Sequence, residues 1–245
     1  MQTNSQRVVL VTGSSRGIGF AIAHAFAARG DAVILNGKKD AEKLNQAINQ
    51  LQQSGYNATG YLADLADYNA ARDLFARIKA THGTIDILIN NAGTAHYGLF
   101  ADMSPSEIQS VLASNLHSTI NASHNAVPDM VRAKAGCIIN ISSIWGIAGA
   151  SCEVIYSAAK AAVNGFTKAL ARELAPSNVR VNAIACGAFD TRMIDGLSSE
   201  EKTAFLDTVP LGRFGNVNEV GELAIYLAGA GYITGQIIPL DGGVV

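Results

Sequence analysis

Short apolar runs alternate with longer amphipathic stretches along the chain. The short runs are rich in Val, Ile and Leu and lack polar alternation, which is typical of strands buried on both faces of a parallel sheet. These predicted strands are residues 8–11, 32–36, 58–62, 85–90, 137–141, 179–185 and 236–240. Helical periodicity between them predicts helices over residues 17–29, 41–54, 70–81, 105–133, 155–175 and 217–228.

This order of elements predicts the fold class. Repeated strand–helix–strand units form right-handed crossovers, so we expect an α/β, Rossmann-like, doubly wound fold with a seven-stranded parallel sheet. The chain has only five prolines and no linker rich in Gly and Ser, so we predict one domain over residues 1–245. Ligands of such folds bind beyond the carboxyl ends of the strands, where the strand order reverses. Candidate catalytic and binding residues are therefore expected just after the predicted strands.

The segment after the first predicted strand is a glycine loop, TGSSRGIG at residues 12–19. Glycine permits positive φ and lets the backbone approach a pyrophosphate, and the helix start that follows offers free N–H groups. A tight turn without a ligand is the alternative, and the position between the first strand and the first helix argues against it. The predicted cofactor contacts here are Gly13, Ser15, Arg16, Gly17, Ile18 and Gly19.

The end of the second predicted strand bears on which dinucleotide binds. Folds that bind NAD usually place Asp or Glu there, to bond the ribose hydroxyls. This strand ends at Asn36, Gly37 and Lys38, and the first carboxylate is Asp40. Lys38 and Arg16 are suited to a 2′-phosphate, which favours NADPH. Two alternatives stay open: Lys39 is the partner, or these cations are only solvated surface charges.

Composition excludes several classes of function. The 18 basic and 20 acidic residues give a net charge of −2, with no basic excess to attract nucleic acid or anionic lipid. The three cysteines have no metal-like spacing and read as reduced thiols, which predicts a cytoplasmic protein. No signal peptide is predicted from the short polar start, and no apolar run is long enough to span a membrane. No metal site is predicted from His96, His117 and His124.

Several motifs occur in a characteristic order: the glycine loop, Asp64, Asn-Asn-Ala-Gly at residues 90–93, Asn115, Ser143 and Tyr156-x-x-x-Lys160. With them, the whole chain resembles the short-chain dehydrogenase/reductase family, down to Asp-Gly-Gly at residues 241–243. The resemblance implies an NAD(P)-dependent oxidoreductase of alcohols or ketones, usually a homotetramer. It extends the predicted cofactor contacts to Gly37, Lys38, Asp64, Leu65, Asn91, Ala92, Gly93, Tyr156, Lys160, Gly187 and Thr191.

The predicted catalytic residues are Asn115, Ser143, Tyr156 and Lys160. Tyr156 and Lys160 lie four residues apart on a predicted helix and so share a face. An ammonium near a phenol favours the phenolate, so we expect Lys160 to lower the pKa of Tyr156, which donates a proton to a carbonyl oxygen. Ser143 is expected to bond that oxygen. The resemblance implies that Lys160 also holds the nicotinamide ribose and that Asn115 holds a water relaying protons to the lysine.

One departure from the family stands after the sixth strand, where Cys186-Gly187 replaces the usual Pro-Gly. We interpret Cys186 as a small buried thiol. The family resemblance assigns Thr191 to the nicotinamide carboxamide.

The predicted substrate residues are Ser143, Trp145, Glu153, Tyr156 and Phe189, under a lid over residues 188–209. For Trp145, a place in the pocket and a packing role under the lid stay equally open.

Within the family, the chain most resembles the 3-oxoacyl-acyl-carrier-protein reductases of fatty acid synthesis. That resemblance implies a β-keto thioester substrate on an acidic acyl carrier protein, and a basic surface near the cleft, for which Arg132, Lys134 and Arg172 are candidates. Residues 142–146, 150–154 and 185–187 also resemble the reductases of the 5-aminopentanone group on elongation factor P, where Glu153 would meet an ammonium. A third alternative, a non-catalytic NADPH-sensing protein, is disfavoured by the intact set of Ser143, Tyr156 and Lys160.

Overall fold

A computed structural model describes residues 6–190 and 206–245. It contains one seven-stranded sheet in which every pair of neighbouring strands is parallel, which confirms the predicted sheet. The strand order is β3-β2-β1-β4-β5-β6-β7. The strands are β1 (Val8–Val11), β2 (Ala32–Gly37), β3 (Ala58–Leu62), β4 (Ile87–Asn90), β5 (Gly136–Ser143), β6 (Val179–Cys186) and β7 (Ile237–Leu240).

Helices cover both faces of the sheet. One face carries α1 (Gly17–Ala28), α2 (Ala41–Gln53) and α8 (Val217–Gly229), and the other carries α3 (Tyr68–His82), α5 (Ser118–Ala133) and α7 (Val154–Leu174). Neighbouring residues of β1 contribute to opposite cores, Val9 and Val11 to the first and Val8 and Leu10 to the second. Burial on both faces explains why the strands show no polar alternation. None of the helices within the described ranges is long and apolar enough to cross a membrane.

The predicted helix over 105–133 is divided in the structure. It consists of α4 (Pro105–Leu112), a π-helical turn (Ala113–His117) and α5. The wider turn of a π-helix is a common feature of functional sites, and here it contains Asn115. Sequence periodicity missed this turn because one wide turn shifts the apolar stripe by a single position.

The order of strands fixes where a ligand can bind. The strand order reverses between β1 and β4, so at the carboxyl edge the chain leaves these two strands toward opposite faces of the sheet. The short helix α6 (Trp145–Ala148), which was not predicted, follows β5 at the same edge. Two 3₁₀ turns, Phe100–Asp102 and Ala175–Ser177, complete the described helical segments.

Candidate active site

The glycine loop after β1 is held against the loop after β4. The Thr12 hydroxyl accepts the backbone N–H groups of Asn91 and Ala92, at 2.9 and 3.0 Å. Asn91 Nδ2 donates in return to the carbonyls of Thr12 and Gly13. A Cβ on Gly13, whose φ is +61°, would lie 2.8 Å from Ala92 Cα. Glycine is therefore required there by both backbone conformation and close packing.

The start of α1 offers unpaired backbone donors. Its N-cap, Arg16, makes no side-chain capping bond, and its first turn has no acidic residue, whereas Asp40 and Asp67 cap α2 and α3. Next to the cap, Gly17 has a φ of +57° and open space where a Cβ would point. Free N–H groups and the positive end of the helix dipole suit an anion such as a pyrophosphate. These residues fit the predicted dinucleotide.

The end of β2 brings two predicted cofactor residues together. Lys38 Nζ lies 2.8 Å from Asp64 Oδ2, and both side chains are partly exposed. Arg16 is exposed at the neighbouring loop and contributes weakly to lowering the pKa of Asp40, after the larger contribution of the Lys43 hydrogen bonds. Cationic groups therefore lie at this edge, and the Lys38 ammonium already has a carboxylate partner.

Four other predicted cofactor residues are buried, packed against other segments or outside the described residues. Leu65 is buried in the core, and its carbonyl accepts from Asn121 Nδ2, so its side chain is not available to a ligand. Gly187 packs against the chain end, since a Cβ there would lie 2.7 Å from Asp241 Cα. Ile18, in the first turn of α1, is partly buried against the core. Thr191 lies outside the described residues, as does most of the predicted lid over 188–209.

Tyr156 and Lys160 lie together near the start of α7. Lys160 Nζ is 5.6 Å from the centroid of the Tyr156 ring and donates a hydrogen bond of 2.9 Å to the Ile141 carbonyl. Lys160 is only 5% exposed, and this burial lowers its pKa to about 8. The predicted pair is therefore present as a geometric unit on one face of the helix.

The expected effect of Lys160 on Tyr156 is not what the structure shows. Burial raises the pKa of Tyr156, and Cys186 and Glu153 add to the increase, while a hydrogen-bonding interaction with Ser143 opposes it. The prediction of a lowered pKa was wrong because it considered the neighbouring charge and neglected desolvation, which penalises the phenolate. Tyr156 is thus a phenol that retains its proton.

Asn115 is fixed by its amide nitrogen and leaves its oxygen unpaired. Its Nδ2 donates to the carbonyls of Thr94 and Val111, at 2.8 and 2.9 Å. Its Oδ1 is buried without a hydrogen-bond partner, and a Cβ on Gly93 would collide with it. A buried carbonyl oxygen without a donor suits a polar group such as a water.

Trp145, Glu153 and Phe189 all follow strand ends at the same edge, and the Phe189 side chain is the one that packs in the core. Burial raises the pKa of Glu153, and an interaction with Trp145 partly offsets the increase. Glu153 precedes the first turn of α7, three residues before Tyr156. Phe189 is only 5% exposed and packs in the core with its ring against Gly215. Its place among the substrate residues stays a prediction.

Cys186 is buried at the end of β6, which confirms its interpretation as a buried thiol. Burial raises its pKa to about 12, and nearby Lys160 partly opposes the increase. In the part of the chain that the structure describes, no group of three or more His, Cys, Asp and Glu side chains is arranged to hold a metal ion.

The basic residues proposed for docking a carrier protein lie at the opposite edge of the sheet. Lys134 lies two residues before β5, and the eight residues of that strand, which end at Ser143, span about 26 Å. Arg132 pairs with Asp129 near the end of α5, and Arg172 lies near the end of α7. Within one subunit these three residues therefore do not border the cleft, and that prediction was wrong.

Several residues that shape the site were missed by the sequence analysis. Asn36 is buried and donates to the carbonyls of Gly37, Tyr61 and Ala63, which fixes the end of β2 beneath the glycine loop. Ser142 and Asn164 are also buried and bonded to each other. For Asn36 and Ser142, the available signal was a polar residue within an apolar strand. For Asn164, it was a polar residue four positions beyond Lys160 on the same helical face.

Comparisons with known proteins agree with this geometry. A family model described as short chain dehydrogenase matches residues 7–202. The uncharacterized oxidoreductase YmfI of Bacillus subtilis (strain 168) is 39% identical over 240 residues, which are 97% of this chain and 98% of that protein. The 3-oxoacyl-[acyl-carrier-protein] reductase FabG of Chlamydia muridarum (strain MoPn / Nigg) is also 39% identical over 240 residues, covering 97% of each chain.

A solved structure shares the fold over nearly the whole chain. The gluconate 5-dehydrogenase of Burkholderia cenocepacia J2315, in complex with NADP and tartrate, has a TM-score of 0.92 and 29% sequence identity. The similarity covers 97% of this chain and 94% of that one.

Proposed function

The chain belongs to the short-chain dehydrogenase family and is an oxidoreductase of CH–OH and C=O groups, and from that premise we propose that it reduces a ketone with NADPH. The observation that carries the proposal is the grouping of Tyr156, Lys160 and Ser143 at the carboxyl edge, next to the uncapped start of α1. In this proposal the hydroxyl donors and a helix start that suits an anion act at the same edge of the sheet.

The residues have complementary roles in this proposal. When bound, the nicotinamide cofactor supplies the hydride that the carbonyl carbon accepts. Ser143 and Tyr156 bond the carbonyl oxygen, and Tyr156 donates its proton there as negative charge develops. Lys160 stabilises the phenolate that remains and bonds the nicotinamide ribose. Asn115 positions a water with its unpaired Oδ1, through which Lys160 exchanges protons with solvent.

The preference for NADPH is assigned to Arg16 and Lys38. We expect the variant with Arg16→Ala and Lys38→Ala to bind NADPH about 10- to 100-fold more weakly, since each charge-assisted bond to a phosphate contributes roughly 1.5–3 kcal/mol where it is shielded and less where it is exposed. NADH affinity should change by less than about threefold, because NADH lacks the 2′-phosphate. Titration of cofactor fluorescence measures both dissociation constants.

Lys39→Ala is the matched control, because Lys39 is an exposed neighbour of Lys38. It should leave the affinity for NADPH unchanged. Equal losses for both cofactors in the double variant would remove the 2′-phosphate assignment, and a selective loss in Lys39→Ala would transfer the role to Lys39.

For the substrate we propose a 3-oxoacyl thioester, such as one borne by an acyl carrier protein. One support is the similarity of this chain to a 3-oxoacyl-[acyl-carrier-protein] reductase. The other is a set of exposed apolar side chains at the carboxyl edge that suit an acyl chain. These side chains are Leu99, Phe100, Ile147 and Val154. Arg132, Lys134 and Arg172 lie at the opposite edge of the sheet, so they provide no support for docking of a carrier within one subunit.

A second candidate is the 5-aminopentanone group on elongation factor P, and Glu153 favours it. Its carboxyl is partly buried beside Tyr156, and it makes no ion pair with a Lys or Arg of the described residues. An ammonium group on the substrate would provide the missing counter-charge. Both candidates share the same reaction and differ in what carries the ketone.

One comparison separates the two substrates. NADPH oxidation is measured with an acetoacetyl carrier-protein thioester and with aminopentanone-modified elongation factor P. We expect faster turnover of the thioester, and expect Glu153→Gln to leave that rate within about twofold because the thioester offers no cation there. Preferential turnover of modified elongation factor P, reduced at least about tenfold by Glu153→Gln, would establish the second candidate instead.

We further propose a cytoplasmic homotetramer. Its support is family resemblance together with large exposed aromatic side chains on and after α8, Tyr226 and Tyr232, of a kind enriched at subunit interfaces. A non-catalytic NADPH sensor is disfavoured, because a sensor has no use for the Tyr156 and Ser143 hydroxyls placed together.

A further inference from the structure

Asn164 lies on α7 one turn beyond Lys160 and connects three segments of the site. Its Oδ1 accepts a hydrogen bond of 2.7 Å from the Ser142 hydroxyl, at the end of β5. Its Nδ2 donates one of 3.0 Å to the Gly146 carbonyl, in α6. Asn164 is 8% exposed and Ser142 is 2% exposed, so water does not readily replace either bond.

The two partners of Asn164 stand on either side of Ser143 in the sequence. Ser142 directly precedes it, and Gly146 follows three residues later. The intervening backbone is short and is tied down by the N–H of Trp145, which donates to the Ser143 hydroxyl at 3.2 Å. Restraining both ends of this segment against α7 also restrains Ser143.

Gly146 permits the close contact that this arrangement needs. A Cβ on Gly146 would lie 2.7 Å from the carbonyl carbon of Lys160 and 2.9 Å from its Cβ. The turn of α6 therefore packs directly on the helix backbone that carries Lys160. Asn164 provides the polar bonds that hold this backbone-to-backbone contact in register.

We propose that Asn164 is a positioning residue that sets Ser143 against Tyr156 and Lys160 by bonding Ser142 and Gly146 at once. The inference rests on the proposed function, in which Ser143 and Tyr156 bond the substrate oxygen. It assigns a role in the reaction to a buried amide that touches neither substrate nor cofactor.

Asn164→Ala tests the proposal, with Asn182→Ala as the matched control. Asn182 is a buried amide in β6 that also makes two bonds, donating to the Ile233 carbonyl at 2.8 Å and accepting from the Gln236 N–H at 3.1 Å. With the thioester or modified elongation factor P, whichever is turned over, we expect Asn164→Ala to lower kcat about tenfold or more, since small displacements of reacting groups have effects of this size. Asn182→Ala should keep kcat within about twofold when assayed well below both melting temperatures.

A cycle with Ser143→Ala distinguishes positioning from general damage. If Asn164 acts through Ser143, adding Asn164→Ala to Ser143→Ala should lower kcat by less than about twofold further. A tenfold further loss in the double variant, or an unchanged kcat in Asn164→Ala alone, would overturn the proposal.

Crystal structures of both alanine variants provide a measurement that needs no substrate. The distance between the Ser143 and Tyr156 hydroxyl oxygens should increase in Asn164→Ala and stay unchanged in Asn182→Ala. An unchanged distance in Asn164→Ala would overturn the positioning role. Should the wild-type protein reduce neither substrate, the proposed function fails while this distance still decides the role of Asn164.

Discussion

Replacing Tyr156 by Phe is expected to lower kcat about 100- to 10,000-fold, the range that general acid catalysis contributes. The substitution removes one oxygen and leaves a ring of the same shape, so packing at the start of α7 persists. Because burial keeps the proton on Tyr156, the hydroxyl is a donor at neutral pH. Steady-state rates and fluorescence titration with NADPH separate a lost proton donor from lost cofactor binding, which should stay within about threefold.

Tyr232→Phe is the control for this substitution. Tyr232 lies in the loop between α8 and β7, at the amino edge of the sheet, so its hydroxyl should contribute nothing to turnover whether or not another subunit covers it. A Tyr156→Phe variant that retained more than about a tenth of the wild-type rate would remove Tyr156 from the role of proton donor.

Replacing Lys160 by Met should abolish most activity and stabilise the fold at neutral pH. The ammonium is buried, and a decrease in pKa from 10.5 to about 8 corresponds to roughly 3 kcal/mol against the charged form. Methionine removes that penalty and loses the bond to the Ile141 carbonyl, which contributes about 1 kcal/mol. We therefore expect the free energy of unfolding at pH 7 to rise by about 2 kcal/mol while kcat falls about 100-fold or more.

The pH dependence of this gain follows from the direction of the shift. Below pH 8 the folded and unfolded states both hold the Lys160 proton, so the wild-type protein bears the full penalty. Between pH 8 and 10.5 the folded state has released the proton and the unfolded state has not, so the penalty disappears. The stability difference between Lys160→Met and wild type should therefore decrease as pH rises through this interval.

Denaturant unfolding at pH 7, 8, 9 and 10 measures this difference, and Lys168→Met is the matched control. Lys168 is exposed on the same helix, so its replacement should change stability by less than about 0.5 kcal/mol at every pH. Subtracting the wild-type curve also removes the contributions of Cys186 and Tyr156, because their raised pKa values keep both groups protonated in either folded protein up to pH 10. A stability difference between variant and wild type that did not vary with pH would contradict the release of the Lys160 proton in the folded state above pH 8.

The strands and most helices were predictable because burial on both faces of a parallel sheet leaves a strong local signal. Each of the seven strands begins and ends within two residues of the prediction. The π-helical turn at Ala113–His117 was not predictable in the same way, because it preserves helical composition and changes only the hydrogen-bond spacing. Asn115 marked the position without revealing the geometry.

Roles that depend on one motif were easier to predict from the sequence than roles that depend on tertiary contacts. Tyr156 and Lys160 share a helical face, so their proximity followed from their spacing. The raised pKa of Tyr156, the ion pair of Lys38 with Asp64 and the burial of Phe189 depend on segments distant in sequence. The basic residues were misplaced because the ends of α5 and α7 return the chain to the amino edge of the sheet.

The order of strands has a consequence for the synthesis of this protein. β1 is placed between β2 and β4, and the Thr12 hydroxyl meets backbone groups about eighty positions later. A nascent chain that has completed only its first βαβ unit therefore lacks the Asn91 and Ala92 contacts that hold the glycine loop. A nicotinamide cofactor that binds this edge would therefore stabilise only chains in which β4 has already joined β1.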